Sequence, residues 1–446
     1  MKMKEKIYYR SPKIIQECMI YAQSYSQKYK HEIEPDSKLV SVDGYSYKKG
    51  SEIINFEIDS MLNYVSSYVP FYKKLVSSAG LSPADINSGN YKNIFPIVSK
   101  SEIKKFPEDF VTEISSHKPI TIHTSGTTGQ PLAVVTNKED RAKNYWFFNS
   151  LLAKYGINYK NRSITIAGKK LSLNGGRASI SRHDRYANTL YLSNYDLSVQ
   201  NVDRYIEAIN KFNPVYIDSY PYPLVTIAKR ILFLGYENIT PNLKLILTSS
   251  EALDDKSRDL LSRAFQCKVI DQYGSAEMAS FGYSENGAEF YFPGMYSQLE
   301  FLEDESGHYE IVATSLIARG MPIIRYATGD KIAKFDINSV GGSVTGKILG
   351  RKEDSLVLPD GRVITQFNPI SGIPYVSSSQ IFQDKNGDVT INVIADPGYT
   401  NEQSRRVYEL SRMKLGEKLN IRVKLVNKHK LTDGGKFKFI CSDYKI

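Results

Sequence analysis

The stretch from 215 to 274 constrains this chain most. VYIDSY reads as a buried strand, and LVTIAKRILFLGY as a helix that stops near Gly235. LKLILTSS reads as a second strand, DKSRDLLSRAF as a helix that Asp254 or Asp255 can cap, and KVIDQYG as a third strand. Strand, helix, strand, helix, strand implies parallel pairing, because a parallel neighbour cannot be reached through a tight turn and needs a crossover helix. Ligands of such sheets sit beyond the carboxyl ends of the strands. The expected fold class is therefore α/β, with parallel sheets and crossover helices.

The flanks read differently. Residues 1–120 read as a mostly helical leader with polar loops, in which Ile53, Ile54, Phe56, Ile58, Met61, Leu62 and Val65 fall partly at helical spacing. No recognisable chemistry is expected there. After Glu277 the helical signals fade. QLEFLEDESGHYEIVATSL reads as a hairpin turning on Glu305, Ser306 and Gly307, and DSLVLPDGRVIT as another turning on Pro359, Asp360 and Gly361. A charged helix from Glu402 to about Leu419, a strand IRVKLVN, a loop HKLTDGG and a short final strand KFKFI close the chain. A domain boundary near Gly350 divides a large body, 1–350, from a small α+β module, 351–446.

Composition matters here for what it excludes. With 41% hydrophobic and 24% charged residues in 446, the chain can bury a sizeable core without special devices. Cys18, Cys267 and Cys441 lie far apart with no CxxC or Cys/His spacing, which argues against disulfides and structural zinc and for a cytoplasmic setting. No 18 uncharged apolar residues run together, so no membrane span is expected. The net charge of +10 is concentrated at the end, where residues 401–446 hold 12 Lys/Arg against 5 Asp/Glu. A basic nucleic-acid or anionic-surface binder is one reading of that excess. The charges are spread over a helix and strands without the aromatic interleaving of RNA-binding modules, so nucleic acid is not an expected partner.

The strongest local motif is Thr124-Ser125-Gly126-Thr127-Thr128-Gly129, followed by Gln130-Pro131. Hydroxyls and backbone N–H groups can converge there on anionic oxygens, and the glycines allow close approach. Such a loop can wrap phosphates, although by itself it is also an ordinary turn. Further segments follow in order: DQYGSAEM at 271–278, RYATGD at 325–330, GRKED at 350–354, and Lys436 within LTDGGKFKF. As a set, from about residue 90 to the C-terminus, these segments resemble the adenylate-forming superfamily of acyl- and aryl-CoA ligases. Within it they are most similar to the phenylacetate-CoA ligase-like branch, which includes adenylating proteins of capsular polysaccharide biosynthesis.

That resemblance implies an AMP-forming ligase that uses ATP and Mg2+ to convert a carboxylic acid to an acyl-adenylate, releasing pyrophosphate. It implies a small mobile C-terminal lid carrying a catalytic lysine. On this footing Thr124, Ser125, Gly126, Thr127, Thr128 and Gly129 grip the ATP phosphates and Glu277 supports Mg2+. Tyr273 stacks on adenine, with Gly274, Ser275 and Glu251 on the adenine side. Asp330 binds the ribose hydroxyls with Arg351 assisting, and Lys436 is the cation meeting carboxylate and α-phosphate. The hinge falls at Glu353, where the family usually has aspartate. Tyr220, Pro221 and His183 are candidates for the acid pocket. The Pro-Asp-Gly hairpin departs from the CoA ligases of this branch, so the acceptor is either CoA or an amine, such as an amino sugar. The acid, the pathway and the oligomeric state, monomer or homodimer, are left open. An inactive scaffold retaining the fold is the remaining alternative.

Overall fold

The computed structural model describes residues 3–35, 47–114, 119–124, 131–172, 180–305, 307–337, 343–351, 356–359, 362–364, 369–370, 372–416 and 419–444. Among these, one 13-stranded sheet forms the body. Its core is parallel: Lys268–Gly274, Leu245–Ser249, Tyr216–Ser219, Ser163–Ile166 and Thr189–Leu192 lie side by side, and Ser181–Asp184 closes that edge in antiparallel sense. The expected three strands and two crossover helices are present, the helices spanning Pro221–Phe233 and Asp255–Phe265. Asp254 caps the second helix, its carboxylate accepting from the Ser257 amide at 2.8 Å.

Beyond Lys268–Gly274 the same sheet turns antiparallel, through Phe281–Ser284, Phe290–Phe292, Val344–Arg351, Tyr326–Ile337, Tyr309–Ser315 and Ser297–Glu303. The hairpin predicted around residues 305–307 is the last pair of these. The leader packs on this half. Helix Tyr47–Tyr68 buries Ile54, Ile58, Met61, Leu62 and Val65 against Phe292, Tyr326 and Leu132. Ile53 and Phe56, which the spacing also allowed, face outward. A short strand, Val98–Ser99, pairs in parallel with Tyr326–Ile337 and fixes the leader to the sheet.

The C-terminal module has its own sheet, ordered Ile421–Leu425, Val389–Ala395, Val376–Gln383 and Ile440–Ser442, with helix Asn401–Leu415 packed over it. The helix ends earlier than expected, at Gly416, whose φ of 88° breaks the helical path. The final strand also begins later than the expected KFKFI. Residues 432–436 close a tight turn instead, held by Thr432 N–H to Lys436 O at 2.9 Å and Gly435 N–H to Thr432 O at 2.8 Å. Phe437 bridges back to Leu431. The hairpin around Pro359 survives as Leu356–Val357 paired with Val363–Ile364, while Asp360, Gly361 and the hinge candidate Glu353 lie outside the described residues.

Candidate active site

The hydroxyl-rich motif lies between two strands, Ile120–His123 and Ala133–Thr136, that pair as a ribbon. Thr124 closes its neck. Its amide donates to Leu132 O at 3.0 Å, and its hydroxyl accepts from the Leu132 amide at 2.9 Å. Ser125, Gly126, Thr127, Thr128 and Gly129 lie outside the described residues.

Tyr273 and Gly274 end the parallel strand Lys268–Gly274. The Tyr273 hydroxyl donates to Asp330 Oδ2 at 2.7 Å, so the two residues proposed for adenine and ribose are directly joined. Burial and the Asp330 charge push the Tyr273 phenol up, which keeps it a donor. Asp330 stands opposite Arg351 in the register of neighbouring strands. Past the strand, Ser275 shapes the turn, its hydroxyl accepting from the Ala279 amide at 3.2 Å.

Glu277 is 5% exposed and bonded on one oxygen. Oε1 accepts from Lys100 Nζ at 3.2 Å and from the Tyr326 hydroxyl at 3.1 Å. Oε2 accepts from no described residue, which suits a hard divalent cation whose other ligands would be phosphate oxygens and water. Among the described residues no three His, Cys, Asp or Glu side chains converge on a metal position. Lys100 is a site-facing residue in the segment from which no chemistry was expected. Strand Val98–Ser99 delivers it, and Ser99 caps the helix that follows in a capping box with Glu102. The S-x-x-E pattern could have located that helix start from sequence, but not its neighbour 177 residues away.

The Lys436 turn is docked onto the body. Tyr195 Oη donates to Asp433 O at 2.6 Å, Asn194 Nδ2 to Gly435 O at 2.6 Å, and Tyr220 Oη to Gly434 O at 3.4 Å. The Phe437 ring stacks on Tyr222, with centroids 4.5 Å apart. Gly168 lies so close that a Cβ there would stand 2.0 Å from Gly434 O. Glu251, at the end of strand Leu245–Ser249, accepts from the Tyr222 amide at 3.1 Å and from the Phe437 amide, spanning body and module. Burial pushes its carboxyl up to about 7, against the opposing pull of the two amides and the Lys436 charge.

Tyr220 and Pro221 stand at the start of helix Pro221–Phe233, at the carboxyl end of Tyr216–Ser219, where the fold puts its ligands. His183 is elsewhere. Its amide donates to Glu17 at 3.1 Å, its ring packs on Phe212, and burial lowers its pKa.

Comparison with known proteins adds family to geometry. Residues 356–443 match the family model of the CapK C-terminal domain. Protein CapK of Staphylococcus aureus is 26% identical over 455 residues, covering 98% of this chain and 99% of that protein. Similarity to CapK along almost the whole chain and to phenylacetate-CoA ligases over about two thirds of it, together with the fold of a CoA ligase, places the resemblance in the adenylate-forming superfamily, in its CapK and phenylacetate-CoA ligase-like branch. Phenylacetate-coenzyme A ligase of Aromatoleum evansii is 22% identical over 317 residues, covering 65% of this chain and 68% of that enzyme. Among solved structures, 2-hydroxyisobutyryl-CoA ligase in its postadenylation state shares the fold with a TM-score of 0.64 at 16% identity, covering 93% of this chain and 94% of that one. The same ligase with CoA, in its thioesterification state, gives 0.54 at 16% identity, covering 93% and 95%. Among the described residues, no helix is long and apolar enough to cross a membrane.

Proposed function

We propose that this protein activates a carboxylic acid with ATP, forming an acyl-adenylate and releasing pyrophosphate, and then transfers the acyl group to CoA or to an amine. The observation that carries this reading is the docked Lys436 turn. Glu251 and Tyr220, on strand ends of the parallel sheet, hold it where such sheets bind ligands. Joining two anions needs fixed positive charge where negative charge accumulates, and Lys436 with Lys100 supplies two cations from opposite ends of the chain. Glu277 would hold Mg2+, which would neutralise the phosphates. Tyr273 and Asp330, already hydrogen-bonded, would take the nucleoside, and the hydroxyl loop the phosphates. The small module, 351–446, would act as the lid, with Glu353 at its hinge.

Support for CoA as acceptor comes from the CoA ligases among the relatives. The motifs' resemblance to the adenylating proteins of capsular polysaccharide biosynthesis favours a role in polysaccharide assembly, where the acceptor would be an amine. ATP–pyrophosphate exchange over a panel of carboxylic acids tests the first half-reaction. Acid-dependent exchange is expected, and its absence together with failure to bind ATP in calorimetry would refute the proposal. Product analysis with CoA or an amino sugar then decides the acceptor.

A further inference from the structure

The parallel sheet has one face filled by Ile164, Ile217 and Ile246 beneath the crossover helices. Its other face packs on helix Lys138–Ala153 and buries Tyr216, Leu245, Leu247 and Ile270. Toward the carboxyl ends of the strands this second face stops being apolar. The register aligns Tyr191, Thr165, Asp218 and Leu247 in one row across four neighbouring parallel strands. With about 4.8 Å between strands, Asp218 lies one strand from Thr165 and two from Tyr191. Tyr191, Thr165 and Asp218 keep partial solvent access inside this layer, as does Tyr145 on the facing helix, whereas Leu247 is closed off. The polar end of the row therefore reaches solvent.

The carboxyl group of Asp218 accepts no hydrogen bond from any described residue, and burial pushes it up to about 6. A part-buried carboxylate without a protein partner is costly unless water or a ligand satisfies it, and a ligand that also excludes water gains most from the contact. Its surroundings are tyrosines: Tyr191, Tyr216 and Tyr220 each feel its charge. Lys169 lies 3.8 Å over the Tyr191 ring and feels the Asp184 charge, whereas no salt bridge joins a described residue to Asp218, whose carboxyl responds to burial alone. A carboxylate among aromatic rings is a receptor for a cationic nitrogen, which gains an ion pair and ring-face contacts together. Tyr220 links this receptor to the reaction centre, because its hydroxyl touches Gly434, two residues before Lys436.

The geometry points to an amino acid as the activated substrate, its carboxyl group toward Lys436 and its ammonium group received by Asp218 among Tyr191, Tyr216 and Tyr220. This inference rests on the adenylating function proposed above and narrows its substrate class. It places the protein downstream of reactions that supply amino acids rather than of aryl-acid catabolism.

The test uses the full chain in ATP–pyrophosphate exchange with matched triplets: an amino acid, its desamino analogue and its hydroxy analogue, for example alanine, propionate and lactate, and β-alanine, propionate and 3-hydroxypropionate. The amino member is expected to exceed both others by about 100-fold in kcat/KM, the scale of one satisfied charge in a dry site. Asp218→Asn and Asp218→Ser are expected to reduce that preference to within about tenfold while leaving ATP binding unchanged and the melting temperature unchanged or raised. Faster exchange with the desamino or hydroxy acid, or an equal loss for all three in both variants, would overturn the inference and leave adenylation standing. No exchange with any acid and no ATP binding would remove adenylation itself, and this inference with it.

Discussion

At the residue scale, the site is a set of charges whose values depend on burial. Lys436→Ala removes one cation from the reacting centre and is expected to slow acyl-adenylate formation at least about 100-fold with an unchanged melting temperature, as read by single-turnover kinetics. His429 shows the same physics in stability. It is 4% exposed, packs beside the stacked Tyr222 and Phe437 rings, and shares a 2.8 Å hydrogen bond with Ser378 through Nε2, while Nδ1 has no partner among the described residues. Burial and the Lys229 charge lower its pKa from 6.5 to about 4. The folded state thus holds it neutral while the unfolded chain would protonate it near 6.5. Stability from this group is present above pH 6.5 and is lost as pH falls toward 4, on the order of 2–3 kcal/mol. His429→Leu is expected to flatten the acid limb of a melting-temperature profile between pH 4 and 6.5, and an unchanged slope would refute this account. Chain chemistry identified the candidate residues themselves, Lys436, Glu277 and Asp330. It could not identify Lys100 or Asp218, because their meaning lies in neighbours far away in sequence.

At the element scale, local signals were clearest where one residue satisfies several orphan backbone groups. Asp254 serves the first turn of helix Asp255–Phe265 through the Ser257 amide and hydroxyl, at 2.8 and 3.0 Å. Asp254→Ala is expected to destabilise the protein by about 1 kcal/mol in urea titration, without changing the unfolding slope. Crossover helices and strands were legible because their apolar periods are strong and their caps are local. The final strand was misplaced for the converse reason. Lys436, Phe437 and Phe439 alternate like a strand, but tertiary contacts with Tyr222, Tyr195 and Asn194 claim 432–437 for a docked turn.

At the scale of the whole molecule, the proposed function requires the module to be seated on the body. Gly168 allows it, since a Cβ would meet the Gly434 carbonyl at 2.0 Å and backbone cannot yield as a flexible side chain can. Gly168→Ala is expected to reproduce the adenylation defect of Lys436→Ala while both units stay folded. Small-angle scattering should report a more extended molecule, and a variant that is compact and fully active would refute the docking role. The tail charge acts at this scale too. The excess of basic residues at 401–446 lies in the part that holds Lys436, and on the proposed function its effect on ATP capture would be read as a salt-dependent on-rate.

The sequence by itself determined the α/β class, the three strands and two crossover helices of 215–274, and the candidate residues for adenylation chemistry. Those properties follow from hydrophobic period, caps and motif spacing, all of which are local along the chain. Only the tertiary structure decided that Lys100 meets Glu277, that Glu251 binds the amide of Phe437, and that Asp218 stands among tyrosines with no hydrogen bond from a described residue. Each joins elements distant in the chain, and no period or spacing encodes which of many exposed charges the packing of a sheet will bring together.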